Sequence, residues 1–228
     1  MKIFEKSIAV IFLLMLLSHP ADAAKKYFQG KITYTITYEG GNINEAQQEM
    51  MPKTMMKYIG NGFVKNVMFT GVGKQSTIID LKNKTKTTLL NLMGQKFAIE
   101  NTIDEIEKEL QQKPDADVEV TDESKVIAGY NCKKAIIRIK NDKGETTNEG
   151  YGWFTDELKV DPDINFSEIY LNKIEGLFLE FSLDMGTGTT MKFIATEVNK
   201  KKITDKEFVI PEDYQKVTRE ELMNSLGQ

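Results

Sequence analysis

Val118–Phe154, VEVTDESKVIAGYNCKKAIIRIKNDKGETTNEGYGWF, decides the fold class. It reads as one long β-hairpin. The first arm is Val118–Lys140, broken near Gly129, and the second runs from Glu145 to Phe154 about the turn Asn141-Asp142-Lys143-Gly144. Ala135, Ile137 and Ile139 alternate with Ile136, Arg138 and Lys140, the period of two expected of a half-buried strand. Asn, Asp and Gly supply the local hydrogen bonds and positive φ that a reversal needs. Gly150 and Gly152 share a face of the second arm, where missing side chains permit a bend or the close approach of another element.

Outward from this stretch the same grammar repeats. Upstream, Phe28–Glu39 is a strand with Ile32, Tyr34, Ile36 and Tyr38 on one face, Asn42–Met51 a short helix stopped by Pro52, and Lys53–Ile59 an edge strand. Four further strands follow: Gly62–Thr70, Lys74–Leu81, Lys84–Leu92 and Gln95–Ile99. Thr102 and Glu105 form a capping box for a helix that presents Ile103, Ile106 and Leu110 on one face. Downstream, a short helix is expected near Phe166–Leu171. A second hairpin pairs Leu177–Asp184, with Leu177, Leu179, Phe181 and Leu183 on one face, with Thr189–Asn199 about Gly186-Thr187-Gly188. Phe208–Pro211 is a last extended segment, and Thr218 with Glu221 caps a C-terminal helix. Many short strands and few helices predict a mainly β (α+β) protein: a curved antiparallel sheet forming an incomplete β-barrel, with the Thr102 helix covering its concave face. A pocket on that face would be lined by Tyr34, Ile36, Met55, Ile106, Phe181 and Phe193.

The N-terminus reads as a secretory signal. Lys2 and Lys6 precede the apolar run Ile8–Leu17, too short for a spanning helix, and Ala21-Asp22-Ala23 is an A-x-A site. The expectation is cleavage between Ala23 and Ala24, leaving one domain, residues 24–228, soluble in the periplasm or secreted. No Cys follows the site, which argues against a lipid anchor. Lys2, Lys6, Glu5 and Asp22 cancel, so the mature charge is the -4 of the whole 228-residue chain. That mild acidity offers no footprint for nucleic acid.

The only histidine, His19, lies in the signal, and Cys132 is the only cysteine. The mature chain therefore lacks the parts for Ser-His-Asp or Cys-His catalysis, His-ligated zinc or an intrachain disulfide. No metal or other cofactor is expected. Met50, Met51, Met55 and Met56 suit core packing or an adaptable apolar lip better than copper, for want of His or Cys beside them. Cys132 reads as an inert strand thiol. Asp161, Asp163 and Asn165 start like a calcium loop, but Phe166 stands at the glycine position and Asn172 at the bidentate one. Gly71-Val72-Gly73-Lys74 fails as a phosphate loop because Met68 and Gln75 occupy its defining positions. A two-carboxylate hydrolase needs no histidine, yet no spacing supports it.

Three motifs carry a resemblance. Ile127-Ala128-Gly129-Tyr130-Asn131-Cys132-Lys133-Lys134-Ala135 resembles the I-x-G-Y-x-C-K-K signature of an envelope family, domain of unknown function 4412. Trp153-Phe154-Thr155-Asp156-Glu157-Leu158 resembles its W-[YF]-T-x-E-L segment. Phe208-Val209-Ile210-Pro211 with Tyr214 resembles the F-x-I-P-x-x-Y close shared with lipoprotein-sorting proteins. The resemblance implies an open β-barrel similar to the lipoprotein carriers LolA and LolB, which hold acyl chains in an apolar cavity. It supplies no catalytic residue. The expected function is a non-enzymatic binder or carrier of lipid or acyl chains. The alternative is an envelope structural or interaction protein, with a protein partner and a filled core.

Overall fold

In the computed structural model, residues 27–185 and 188–225 are described. The signal segment and the Gly186-Thr187 part of the second hairpin turn lie outside them. Strands β1 (Gly30–Gly40), β2 (Thr54–Gly60), β3 (Phe63–Thr70), β4 (Gly73–Asp80), β5 (Thr85–Leu92) and β6 (Gln95–Asn101) form one meander. Strands β7 (Ala116–Ile127), β8 (Tyr130–Lys140), β9 (Thr146–Thr155), β10 (Leu177–Asp184) and β11 (Thr189–Lys200) form another. Pairing of β1 with β11 joins the two into a 12-stranded sheet, ordered β12-β6-β5-β4-β3-β2-β1-β11-β10-β9-β8-β7, where β12 is Gln215–Lys216. Every pairing is antiparallel except β12 with β6. The sheet curves around a core, but its end strands β7 and β12 are not paired with each other, so the barrel stays open.

Two-residue turns set the register. At Asn61-Gly62, Met93-Gly94 and Ala128-Gly129 both residues have positive φ, the conformation whose twist matches the flanking strands. The last of these corrects the single-hairpin reading. The break at Gly129 is a complete reversal, so the organising stretch is a three-stranded meander with β8 at its centre. Lys53–Ile59, expected at an edge, forms β2 between β1 and β3. Leu177, Leu179, Phe181 and Leu183 do not share one face, because a bulge between Phe178 and Glu180 resets the alternation in β10.

The real edges are protected. In β7 a bulge sets three residues, 121–123, against Lys134 alone. Asp117, Glu119 and Glu123 pair with Lys140, Arg138 and Lys134 of β8 at 2.6, 2.6 and 2.9 Å. Strand β12 is only two residues long.

The main core fills the concave face. Ile32, Tyr34 and Ile36 of β1 meet Met55 and Ile59 of β2, Ala135 and Ile137 of β8, and Phe181 and Phe193 of β10 and β11. The irregular segment 158–176, with 3-10 turns at Pro162–Asn165 and Leu171–Lys173, closes this core with Leu158, Ile164, Leu171 and Ile174. It occupies the place assigned to the short helix near Phe166–Leu171. On the opposite face Ile203 and Phe208 cover Ile78, Leu89 and Ala98, with the Phe63 and Phe208 rings stacked at 5.3 Å. Of the helices, α1 (Glu45–Met50) and α3 (Arg219–Ser225) are short, and α2 (Ile103–Gln111) has the expected Thr102–Glu105 capping box. Helix α2 meets the sheet at β5, where Glu109 lies 3.9 Å from Lys86, and Ile106 is its one buried residue. The centre of the concavity therefore belongs to the irregular segment rather than to α2. No helix among the described residues is long and apolar enough to cross a membrane.

Candidate functional site

The six residues expected to line a pocket are all buried. Tyr34, Ile36, Met55, Phe181 and Phe193 stand together in the main core, whereas Ile106 lies apart under α2. Phe181 and Phe193 stack at 4.6 Å, and Tyr34 meets Phe181 edge-on at 6.0 Å. The Tyr34 hydroxyl donates to the Phe178 carbonyl oxygen at 2.8 Å, and burial raises its pKa far above the ordinary phenol value. These side chains pack against one another, and none of them lines any of the five principal clefts among the described residues.

The largest of those clefts, about 450 Å³, opens at the barrel mouth beside them. Ile137, Ile139 and Gly150 of β8 and β9, Leu183 of β10 and Leu171 of the irregular segment form its apolar surface. Asn148, Glu149, Ser182 and Thr190 add polar groups. Its volume lies in the range of about 300–1,000 Å³ typical of small-molecule sites. The period-two register that buries Ala135 carries Ile137 and Ile139 along the same face to the mouth, where the core ends.

The two strand glycines have different roles. A Cβ at Gly152 would stand 2.6 Å from the Phe178 ring, so glycine admits that ring to the core. A Cβ at Gly150 would meet nothing within 4 Å, because this glycine faces the cleft. Sequence reasoning placed the two on one face; which one packs depended on the position of Phe178. Gly152→Val should therefore destabilise by about 1–3 kcal/mol through overpacking. An unchanged chemical-denaturation midpoint would show that the ring moves aside freely.

Other candidate groups are engaged structurally. Glu180 is buried between Lys125 and Lys192, at 2.7 and 3.5 Å, with Lys125 Nζ 4.3 Å from the Trp153 ring centroid. The Lys192 ammonium is held above its usual range, first by the hydrogen bond with Tyr151 and then by the Glu180 charge. Cys132 is fully buried, and that burial pushes its thiol up to about 11, the opposite of an activated nucleophile. Met55 belongs to the core, Met56 Sδ accepts from the Tyr58 hydroxyl at 3.6 Å, and Met50 packs on Gly71, so the methionines diverge. Asp161 accepts from the Asp163 amide, Asp163 pairs with Lys84, and Asn165 donates to the carbonyls of Ile174 and Gly176. Among the described residues no group of three or more His, Cys, Asp or Glu is placed to hold a metal ion.

Fold and cleft together define an open antiparallel β-barrel with a partly apolar mouth. No protein-family model and no curated protein matches the chain. Among solved structures it is similar to PNGF-II in a C2 crystal form, with a TM-score of 0.50 and 20% identity over 86% of this chain. The P21 form of PNGF-II gives a TM-score of 0.49 and 19% identity over 86% of this chain. This chain spans 32% of the length of PNGF-II in either form. At that identity the likeness is one of fold.

Proposed function

We propose that this is an exported cell-envelope protein that binds the apolar part of a lipid-like ligand in the cleft at the barrel mouth, without chemical conversion. The observation that carries this reading is the cleft itself: an apolar surface at Ile137, Ile139, Leu171 and Leu183, widened by the absence of a side chain at Gly150. The A-x-A segment supports export, and the resemblance to domain of unknown function 4412 and to LolA and LolB supports an acyl ligand. Buried, paired or solvated polar groups account for Glu180, Cys132 and Asp163 without a catalytic role.

A second reading, an envelope interaction protein without a small ligand, is favoured by the packing of Tyr34, Ile36, Phe181 and Phe193 into a filled core. Gly150→Phe separates the two. The new side chain enters open space, so stability should hold, or rise by about 0.5–1 kcal/mol as the glycine's excess unfolded entropy is removed. Its ring should occupy the cleft and weaken binding of the apolar fluorophore N-phenylnaphthylamine about tenfold or more. Fluorescence titration of both proteins checks this. A wild-type chain that binds no such probe favours the interaction reading, and unchanged binding by Gly150→Phe rules out this cleft.

A further inference from the structure

Lys57 lies on the concave face of β2, in register with Ile32 of β1 and Asn66 of β3. It is 7% exposed, uncommon for a lysine. Burial lowers the pKa of its ammonium, and the Glu168 carboxylate of the irregular segment opposes that shift. Glu168 makes no ion pair with Lys57 within 4.0 Å, so the cation is only partly compensated. Two further polar groups are left open in this part of the fold. Asn66 Oδ1, on the strand beside Lys57, and Ser167 Oγ, on the residue before Glu168, are both buried without a hydrogen-bond partner among the described residues. Buried polar atoms left unpaired cost free energy, and native proteins seldom tolerate them without an occupant. The Lys57 ammonium and the Ser167 hydroxyl donate, and the Asn66 amide donates or accepts according to its orientation. This set suits a carboxylate, which brings the missing negative charge and several acceptor lone pairs.

We infer that Lys57, with Asn66 and Ser167, anchors the carboxylate head of a fatty-acid-like ligand whose hydrocarbon tail lies in the cleft at the barrel mouth. The irregular segment connects the two places. Ser167 and Glu168 are followed directly by Ile169, Tyr170 and Leu171, which line the cleft. Three residues lie between Ser167 and Leu171, and a fully extended chain covers at most about 3.6 Å per residue, so the Cα atoms of these two residues lie within about 14 Å of each other. The inference rests on the cleft-binding reading and adds to it the chemical class of the head.

The test compares dodecanoate with 1-dodecanol, which share a tail and differ in charge, as competitors of N-phenylnaphthylamine on the full chain and on Lys57→Met. The wild-type protein should bind dodecanoate about tenfold or more tightly than dodecanol, because a hydrogen bond to a charged group is worth about that factor. Lys57→Met should lose the preference while keeping its affinity for dodecanol. Equal affinities in the wild-type protein, as expected if water alone fills the polar site, or a preference surviving in Lys57→Met, would overturn the anchor and leave the cleft reading intact. Failure of both compounds and of the probe to bind would remove the cleft reading and the anchor with it. Should Lys57→Met not fold, Ser167→Ala is measured in its place, with a reduced carboxylate preference expected and an unchanged one overturning the inference.

Discussion

Tyr34→Ala should lower the unfolding free energy by about 3–5 kcal/mol, the cost usual for deleting a large buried aromatic side chain. Tyr34 is fully buried on β1, the strand that joins the two meanders. Its ring meets Phe181 edge-on, and its hydroxyl crosses the concave interior to the Phe178 carbonyl of β10, two strands away. Burial keeps the phenol protonated, so it donates throughout the neutral range. Truncation removes ring packing in both halves of the barrel and that cross-link together. Tyr34→Phe keeps the ring and should cost only about 0.5–1.5 kcal/mol, the net worth of one hydrogen bond. Urea unfolding of the three proteins checks both values, with a common slope required for the comparison. A loss below about 1 kcal/mol for Tyr34→Ala would mean that this part of the concave face is loosely filled, and would restore the pocket expected at Tyr34 and Phe181.

Ile106→Ala should cost about 2–5 kcal/mol. Ile106 is the one buried residue of α2, which meets the sheet at β5, so most of the helix's apolar attachment passes through this side chain. The Thr102–Glu105 capping box survives the substitution; hydrogen bonds with Thr102 hold the Glu105 carboxyl below its ordinary pKa. Hydrogen exchange should therefore show α2 opening locally while the amides of β1 and β11 stay protected. Because Ile106 does not line the cleft, N-phenylnaphthylamine should bind the variant as it binds the wild-type protein. A core-sized loss of stability with no probe binding by either protein would transfer the argument to the interaction reading. Altered probe binding with little loss of stability would instead place α2 at the binding site.

The strands were legible because their signals are local. Alternation in Ile32–Tyr38, glycine-containing turns at Asn61-Gly62 and Met93-Gly94, and the Thr102–Glu105 and Thr218–Glu221 boxes each act within a few residues of chain. The pairing order was less so. Nothing near β1 says that β11 will be its neighbour, a contact that runs from Gly30 with Lys200 to Gly40 with Thr189. Lys53–Ile59 looked like an edge because its own composition is ambiguous; its central place follows from pairings on both sides. The bulge at Leu179 was hidden for a related reason. A single extra residue in β10 leaves the hydrophobic run unbroken but shifts which side chains face the core.

The sequence by itself determined that the chain would be mainly β, that its central segment would be antiparallel β structure, though read as one hairpin rather than three strands, and that the chain after His19 would carry no histidine chemistry. It also offered Tyr34, Ile36, Met55, Ile106, Phe181 and Phe193 as the lining of a pocket, and the structure buries all six, because an apolar residue on an inward face is buried whether that face encloses a cavity or packs against another. Whether buried residues enclose a cavity or fill one another's space depends on the distance between faces brought together by folding. Only the tertiary structure decided that Phe181 stacks on Phe193, that segment 158–176 closes the concavity, and that the open space lies at Gly150. The same holds for Lys57. Its place in β2 follows from local alternation, but its burial beside an unpartnered Asn66 exists only once the irregular segment has folded across the sheet.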